Sequence, residues 1–288
     1  MSQAPCADGY FRSADGLSLF FRDYPQRSAS AATPVICLPG LTRNSEDFVG
    51  LAARLATQRR VITTDLRGRG RSEYDHDRSH YNPQQYVADV WELLALLAID
   101  KVIVIGTSLG GLMAMIMAWQ RPASVAGAVL NDIGPELDPA GLARVVETAA
   151  LLPEVDTWQE AVQETRNNYR SSFPDWTESR WLDYAKSTYR ETGDGRLAMN
   201  LDANVGVATR EGLSGLEHDP WQLFDALLPI PLLLLRGEHS DLLSAATCEK
   251  MQQRKTDLIA VTVRNRGHAP YLDEPEATDA IDQFLQNR

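Results

Sequence analysis

The chain has 288 residues, 44% of them apolar, enough to bury one large α/β core or a core with an insertion. Its formal charge of −11 argues against a nucleic-acid partner, since phosphate binding needs a basic surface to release counterions, and favours small neutral or apolar ligands. Three cysteines, Cys6, Cys37 and Cys248, have neither CxxC nor metal-ligand spacing; they build no disulfide framework and suit a reducing cytoplasm.

The start, MSQAPCADGYFRSADG, shows no basic segment followed by an apolar block, so no secretory signal is expected. GYFRSADGLSLFFRDY alternates around Asp15 and Gly16 and predicts an antiparallel hairpin. TPVICLPG is a short buried strand, followed by helical spacing over SEDFVGLAARLAT behind Ser45, an N-cap candidate. RRVITTDLRG with NPQQYVADVWELLALLA, then KVIVIG with LGGLMAMIMAWQR, repeat the strand–helix unit, and SVAGAVLND adds another strand. Val102 to Gln120 carries no charge, but Thr107 and Ser108 among Gly106, Gly110 and Gly111 divide it into a strand and a helix, which a single membrane span would not need; no membrane association is expected.

The rhythm changes over residues 138–228, where helical patterns rich in Trp158, Trp176, Trp181, Tyr184, Tyr189 and Trp221 contain no convincing strand. This segment is expected to be an all-helical insertion, its aromatics packing its own core or lining a cleft. Strand IPLLLLRG, helix SAATCEKMQQR, strand DLIAVTV and helix EPEATDAIDQFLQN then return to the α/β pattern. The expected organisation is therefore a core over 1–137 and 229–288 with a helical cap over 138–228. Its sheet is mostly parallel, covered by helices on both faces, and starts with an antiparallel hairpin.

Gly106-Thr107-Ser108-Leu109-Gly110 has the form G-x-S-x-G after a predicted strand and at the start of a predicted helix. A sharp turn there projects the serine hydroxyl beyond the sheet, and the amide of Leu109 at the helix N-terminus can donate to a developing oxyanion. The stretch lacks the G-x-G-x-x-G of a dinucleotide site and the lysine of a P-loop.

GTSLGG in this setting resembles the nucleophile elbow of the α/β-hydrolase family. The hairpin, LPGLTRN, DLRGRGRS, the helical insertion, LLRGEHSD and GHAPYLDEPE extend that resemblance along nearly the whole chain. It implies an α/β-hydrolase fold and a serine nucleophile, Ser108, whose base is a histidine held by a carboxylate. Of five histidines, His76 and His80 precede the serine, His218 lies in the insertion and His239 in the candidate acid loop. His268 in RNRGHAPYL follows the last strand and completes the order serine, acid, histidine, and the family's Gly-His-x-Pro stretch supports it. For the acid the resemblance favours Asp241, beyond LLLLRGEHS, over Glu238 in the same loop and Asp132 at the end of LND. The second oxyanion donor is expected at the amide of Leu41, in a loop that has Pro39 where many relatives have histidine.

The aspartates and histidines of YDHDRSH fit no common metal spacing and are read as a solvated loop, and the arginines of RGRGRS as surface charges able to draw in an acidic substrate. No cofactor and no metal are expected, and the oligomeric state is not legible. The expected activity is hydrolysis of carboxylic esters, lactones or thioesters through an acyl-enzyme. Carbon–carbon hydrolysis of ring-cleavage products, perhydrolysis or acyl transfer, and a non-catalytic ligand-binding protein stand as alternatives.

Overall fold

A computed structural model of the chain describes residues 6–28, 32–212, 219–286 and 288. His218 lies outside the described residues. The hairpin forms as expected: β1 (Ala7–Arg12) pairs antiparallel with β2 (Ser18–Tyr24) across a turn in which Gly16 has φ 89°.

The remaining core strands are β3 (Val35–Leu38), β4 (Val61–Thr64), β5 (Val102–Thr107), β6 (Val125–Asn131), β9 (Leu232–Gly237) and β10 (Ile259–Val263). With the hairpin they make an eight-stranded sheet ordered β1-β2-β4-β3-β5-β6-β9-β10, parallel from β4 onward. β2 meets β4 antiparallel.

Side-chain alternation divides the core. Ile36, Leu38, Val102, Val104, Leu232 and Leu234 point to one face. There they meet α2 (Pro83–Leu96), α3 (Leu109–Gln120), α8 (Pro220–Asp225) and α9 (Ala245–Arg254). Val35, Cys37, Ile103, Ile105, Leu233 and Leu235 point to the other, against α1 (Val49–Leu55) and α10 (Pro275–Leu285). Burying each large aliphatic or aromatic side chain contributes roughly 1.5–3 kcal/mol, which accounts for the near-continuous apolar runs in the central strands.

Between β6 and β9 the chain leaves the sheet through α4 (Pro139–Ala150), α5 (Trp158–Tyr169), α6 (Glu178–Thr188) and α7 (Ala203–Gly212). The expectation of an all-helical segment fails locally, because β7 (Tyr189–Glu191) and β8 (Leu197–Met199) form a small antiparallel hairpin. Gly195, at φ 84° in the TGDGR turn, closes it. Two three-residue strands are too short to show a period of two, which is why the sequence pattern missed them. Ser45 is not the cap residue either: Asn44 caps a short 3₁₀ turn, Ser45–Phe48, ahead of α1.

The loop after β4 is only partly as expected: Arg71 is a surface charge, but the two arginines before it are not. Arg67 and Arg69 are fully buried. Arg67 bonds Asp89 through Nε (2.8 Å) and Nη2 (2.6 Å), and through Nη1 it bonds Asp15 (2.8 Å) and Asp75 (2.5 Å). His80 adds Nδ1 to the Asp75 carboxylate at 2.9 Å. The YDHDRSH segment is thus tied to a buried guanidinium rather than simply solvated, and the guanidinium occupies the space among the acids.

Candidate active site

The strand-to-helix turn between β5 and α3 puts Ser108 at φ 51° and ψ −114°, a conformation L-residues rarely adopt. Two glycines make room for it. A Cβ at Gly106 would collide with the backbone of Gly110 and Gly111, and one at Gly110 with the backbone of Leu38. Ser108 is pinned from below by its amide, which donates to Asn131 O at 2.9 Å. Asn131 in turn donates to Thr107 Oγ1 (3.1 Å) and to Pro270 O (2.8 Å), joining the turn to the loop after β10.

His268 sits in that loop with its Nε2 2.9 Å from Ser108 Oγ. Its other ring nitrogen, Nδ1, lies 2.7 Å from Oδ2 of Asp132. The carboxylate facing the imidazole is therefore Asp132, at the end of β6, and not the favoured Asp241. Asp132 is fully buried and has φ 59°. Its Oδ1 accepts from Gly237 N (2.8 Å) and its Oδ2 also accepts from Ser240 Oγ (2.6 Å). Three donors offset the desolvation of a buried carboxylate and leave it aimed at the ring.

Asp241 has a different partner. Both its oxygens accept from Arg144 on α4, from Nε at 2.5 Å and from Nη2 at 2.8 Å. Burial works to raise the Asp241 carboxyl, but the Arg144 guanidinium outweighs it and holds the group below the usual range. Glu238, the other alternative in that loop, accepts from Asn265 N at 2.8 Å on the surface.

The expected backbone donors, Leu41 and Leu109, lie in the loop after β3 and at the start of α3. Leu109 is the first residue of α3, so its amide has no helical acceptor. In the loop after β3, Gly40 O accepts from Arg43 N at 3.1 Å. The peptide is planar, so this orients the N–H of Leu41 the opposite way. Buried Arg69 donates from Nε to Leu41 O at 2.9 Å and fixes the next peptide.

Ser108 and His268 open into a cleft of about 730 Å³, its mouth included. Leu41, Thr42 and Arg43 line one side, and Arg144, Val145 and Thr148 of α4 another. Tyr169, Phe173 and Tyr184 form a roof from the segment between β6 and β9. Of the insertion aromatics singled out in the sequence, only Tyr184 reaches the cleft, while Trp176 and Trp181 stack behind Phe173. Tyr169 and Phe173 are cleft residues that helical periodicity did not separate from their neighbours. Burial pushes the phenol of Tyr184 well above its ordinary value, so it stays neutral there.

The roof is also bonded to the machinery. Ser172 Oγ donates to His268 O at 2.8 Å, and Gly267 N donates to Ser172 O at 3.0 Å. Arg43 Nη2 and Asn44 Nδ2 reach Ser187 at the end of α6, both at 2.8 Å. An alcohol, an imidazole and a carboxylate bonded in series can activate a nucleophile, and a backbone amide at a helix start can receive the negative charge it creates.

A family model described as the alpha/beta hydrolase fold matches residues 33–275. An alpha/beta hydrolase from Novosphingobium aromaticivorans is 43% identical, with a TM-score of 0.92 over 99% of both chains. A 3-hydroxybutyrate-oligomer hydrolase of Cupriavidus necator is 32% identical over 258 residues, 87% of each chain. A 2-(acetamidomethylene)succinate hydrolase of Mesorhizobium japonicum is 28% identical over 253 residues, 85% of each. With the family model matching most of its length and a serine at its strand-to-helix turn, the chain belongs to the α/β-hydrolase family of enzymes.

Proposed function

We propose that this enzyme hydrolyses carboxylic esters through an acyl-enzyme on Ser108. The observation that carries the reading is the continuous bonded path from Ser108 Oγ through His268 to Asp132, 2.9 Å and then 2.7 Å, at the floor of the cleft. His268 takes the hydroxyl proton as Ser108 Oγ bonds to the substrate carbonyl carbon. The oxyanion so formed accepts from the amides of Leu41 and Leu109. Collapse breaks the bond to the leaving oxygen, which departs as an alcohol with the proton held by His268. Water then repeats the sequence with His268 as base, releasing the acid and restoring Ser108. Asp132 accepts from Nδ1 throughout, fixing the tautomer and stabilising the imidazolium.

The name of the Cupriavidus relative supports an ester as the bond broken, since a 3-hydroxybutyrate oligomer is joined by ester linkages. A mostly aromatic and aliphatic cleft supports a small organic substrate.

The test is labelling with a fluorophosphonate beside turnover of a chain-length series of p-nitrophenyl esters. The native protein is expected to be labelled and to turn over short to medium acyl esters. Ser108→Ala is expected to lose labelling and roughly 10³- to 10⁶-fold in kcat. Equal labelling of the two proteins would remove Ser108 from the reaction.

A further inference from the structure

The cleft holds two permanent cations among its described lining residues, Arg43 and Arg144, and they are in opposite situations. Arg43 is buried and uses four of its five donors: Nε and Nη2 bond Asp47, Nη2 also bonds Ser187, and Nη1 bonds Thr188. Its guanidinium lies over the Tyr184 ring at 3.8 Å, which covers one of its faces. Arg144 is about a third exposed and uses only one edge, Nε and Nη2 toward Asp241. A guanidinium has five donors, and the edge formed by Nη1 and the second N–H of Nη2 matches a carboxylate in a two-point fork.

We propose that Arg144 is the anchor for a free carboxylate on the substrate, so that the ester is an acidic one, such as a hydroxy-acid ester or a dicarboxylic half-ester. This rests on the reading of the cleft as an ester-hydrolase site. Asp241 acts as the positioning residue. Its carboxylate stays ionised well below neutral pH and grips the edge formed by Nε and Nη2, leaving the other edge of this cleft-lining guanidinium without a hydrogen-bond partner among the described residues. The Cα of Gly141, one turn earlier on α4, packs against the Asp241 backbone, so close that any Cβ would clash with it. This seats the helix that carries Arg144. The net charge of −11, which favoured neutral ligands, does not decide the matter, because distant acids are screened whereas the remaining donors of Arg144 would bond a carboxylate directly.

The experiment compares kcat/KM for two matched pairs. One is p-nitrophenyl hydrogen glutarate against its methyl ester, with the carboxylate on the acyl side. The other is 3-acetoxybutyrate against its methyl ester, with the carboxylate on the alcohol side. In at least one pair the free acid is expected to be preferred roughly 10- to 100-fold, as a charge-assisted fork provides. Arg144→Gln is expected to bring that ratio close to one, mainly through KM. Arg144→Lys should recover part of it, because the charge remains and the fork is lost.

Fluorophosphonate labelling of each variant reports whether the serine site is still assembled, so a collapsed ratio in labelled protein is a binding effect. No preference in either pair, or a preference that survives Arg144→Gln, would overturn the proposal. Calorimetry with 3-acetoxybutyrate and its methyl ester on Ser108→Ala reads the anchor without turnover. Acid binding that Arg144→Gln abolishes supports it even where no ester is cleaved, and equal binding of the two compounds together with no preference for the glutarate acid in turnover ends it.

Discussion

At the scale of single residues, two aspartates compete for one imidazole. Asp132 follows β6 and Asp241 lies beyond β9, strands that are neighbours in the sheet, so both loops open beside His268. Asp132 wins because its positive φ and its three donors turn the carboxylate toward Nδ1. Asp241 is drawn away by an arginine more than ninety residues earlier in the chain. Ser108 and Leu109 were legible from the local G-x-S-x-G turn, and His268 and Leu41 from chain order and the family resemblance; the structure places Ser108 and His268 within hydrogen-bond distance. The choice of acid was not legible, because it depends on Arg144 and Ser240, whose side chains converge only in the fold. Asp132→Asn is accordingly expected to lower kcat about 10⁴-fold with p-nitrophenyl acetate, since an amide stabilises the wrong tautomer. Asp241→Asn is expected to cost less than about tenfold on the same neutral ester. Steady-state kinetics on the two variants check both figures, and a reversed ranking would return the acid role to Asp241.

At the scale of elements, the loop after β4 behaves as a strut rather than a charged surface. Arg69 stacks over Tyr86 at 4.6 Å, donates to Leu41 O, and pairs by backbone with Leu201 from the far end of the insertion. It thereby joins the loop that carries Leu41, the proposed oxyanion donor, to the insertion. A run such as RGRGRS reads as solvated charge because the partners of Arg69, main-chain carbonyls and a ring face, leave no mark in composition, and those of Arg67 are acids distant in sequence. Arg69→Met keeps the stem and removes the donors. It is expected to lower kcat by roughly 10- to 100-fold with little change in KM, the pattern of an interaction felt in the transition state. The same variant should show slower phosphonate labelling, whereas a change in KM alone would refute this role. The β7–β8 hairpin and the cleft aromatics Tyr169 and Phe173 were hidden for a related reason: short elements and mixed faces carry too few residues to establish a period.

At the scale of the whole molecule, Arg67 ties the first hairpin, the segment after β4 and α2 together through Asp15, Asp75 and Asp89. The bond from Arg67 is the main reason the Asp15 carboxyl is held at about 2, below its ordinary 3.8. A carboxyl depressed in the folded state adds stability above its unfolded value and loses it as pH falls toward the folded one, here from about 4 to about 2. Burial pushes Asp89 upward, so its contribution has the opposite sign. Comparing Asp15→Asn with the native protein isolates the first effect: thermal midpoints measured between pH 5 and pH 2 should fall less steeply in the variant. An equal slope would mean that this contact does not contribute to acid stability. The fold itself, with its alternating core strands and helices on both faces, was legible because burial on two sides writes long apolar runs into a sequence. No described helix is long and apolar enough to cross a membrane, and the uncharged run from Val102 divides into β5 and α3. The clasp between Ser172 and the Gly267–His268 backbone has a wider consequence. Because it fastens the roof of the cleft to the main chain of the imidazole's own residue, any displacement of the roof would be transmitted to the position of that ring.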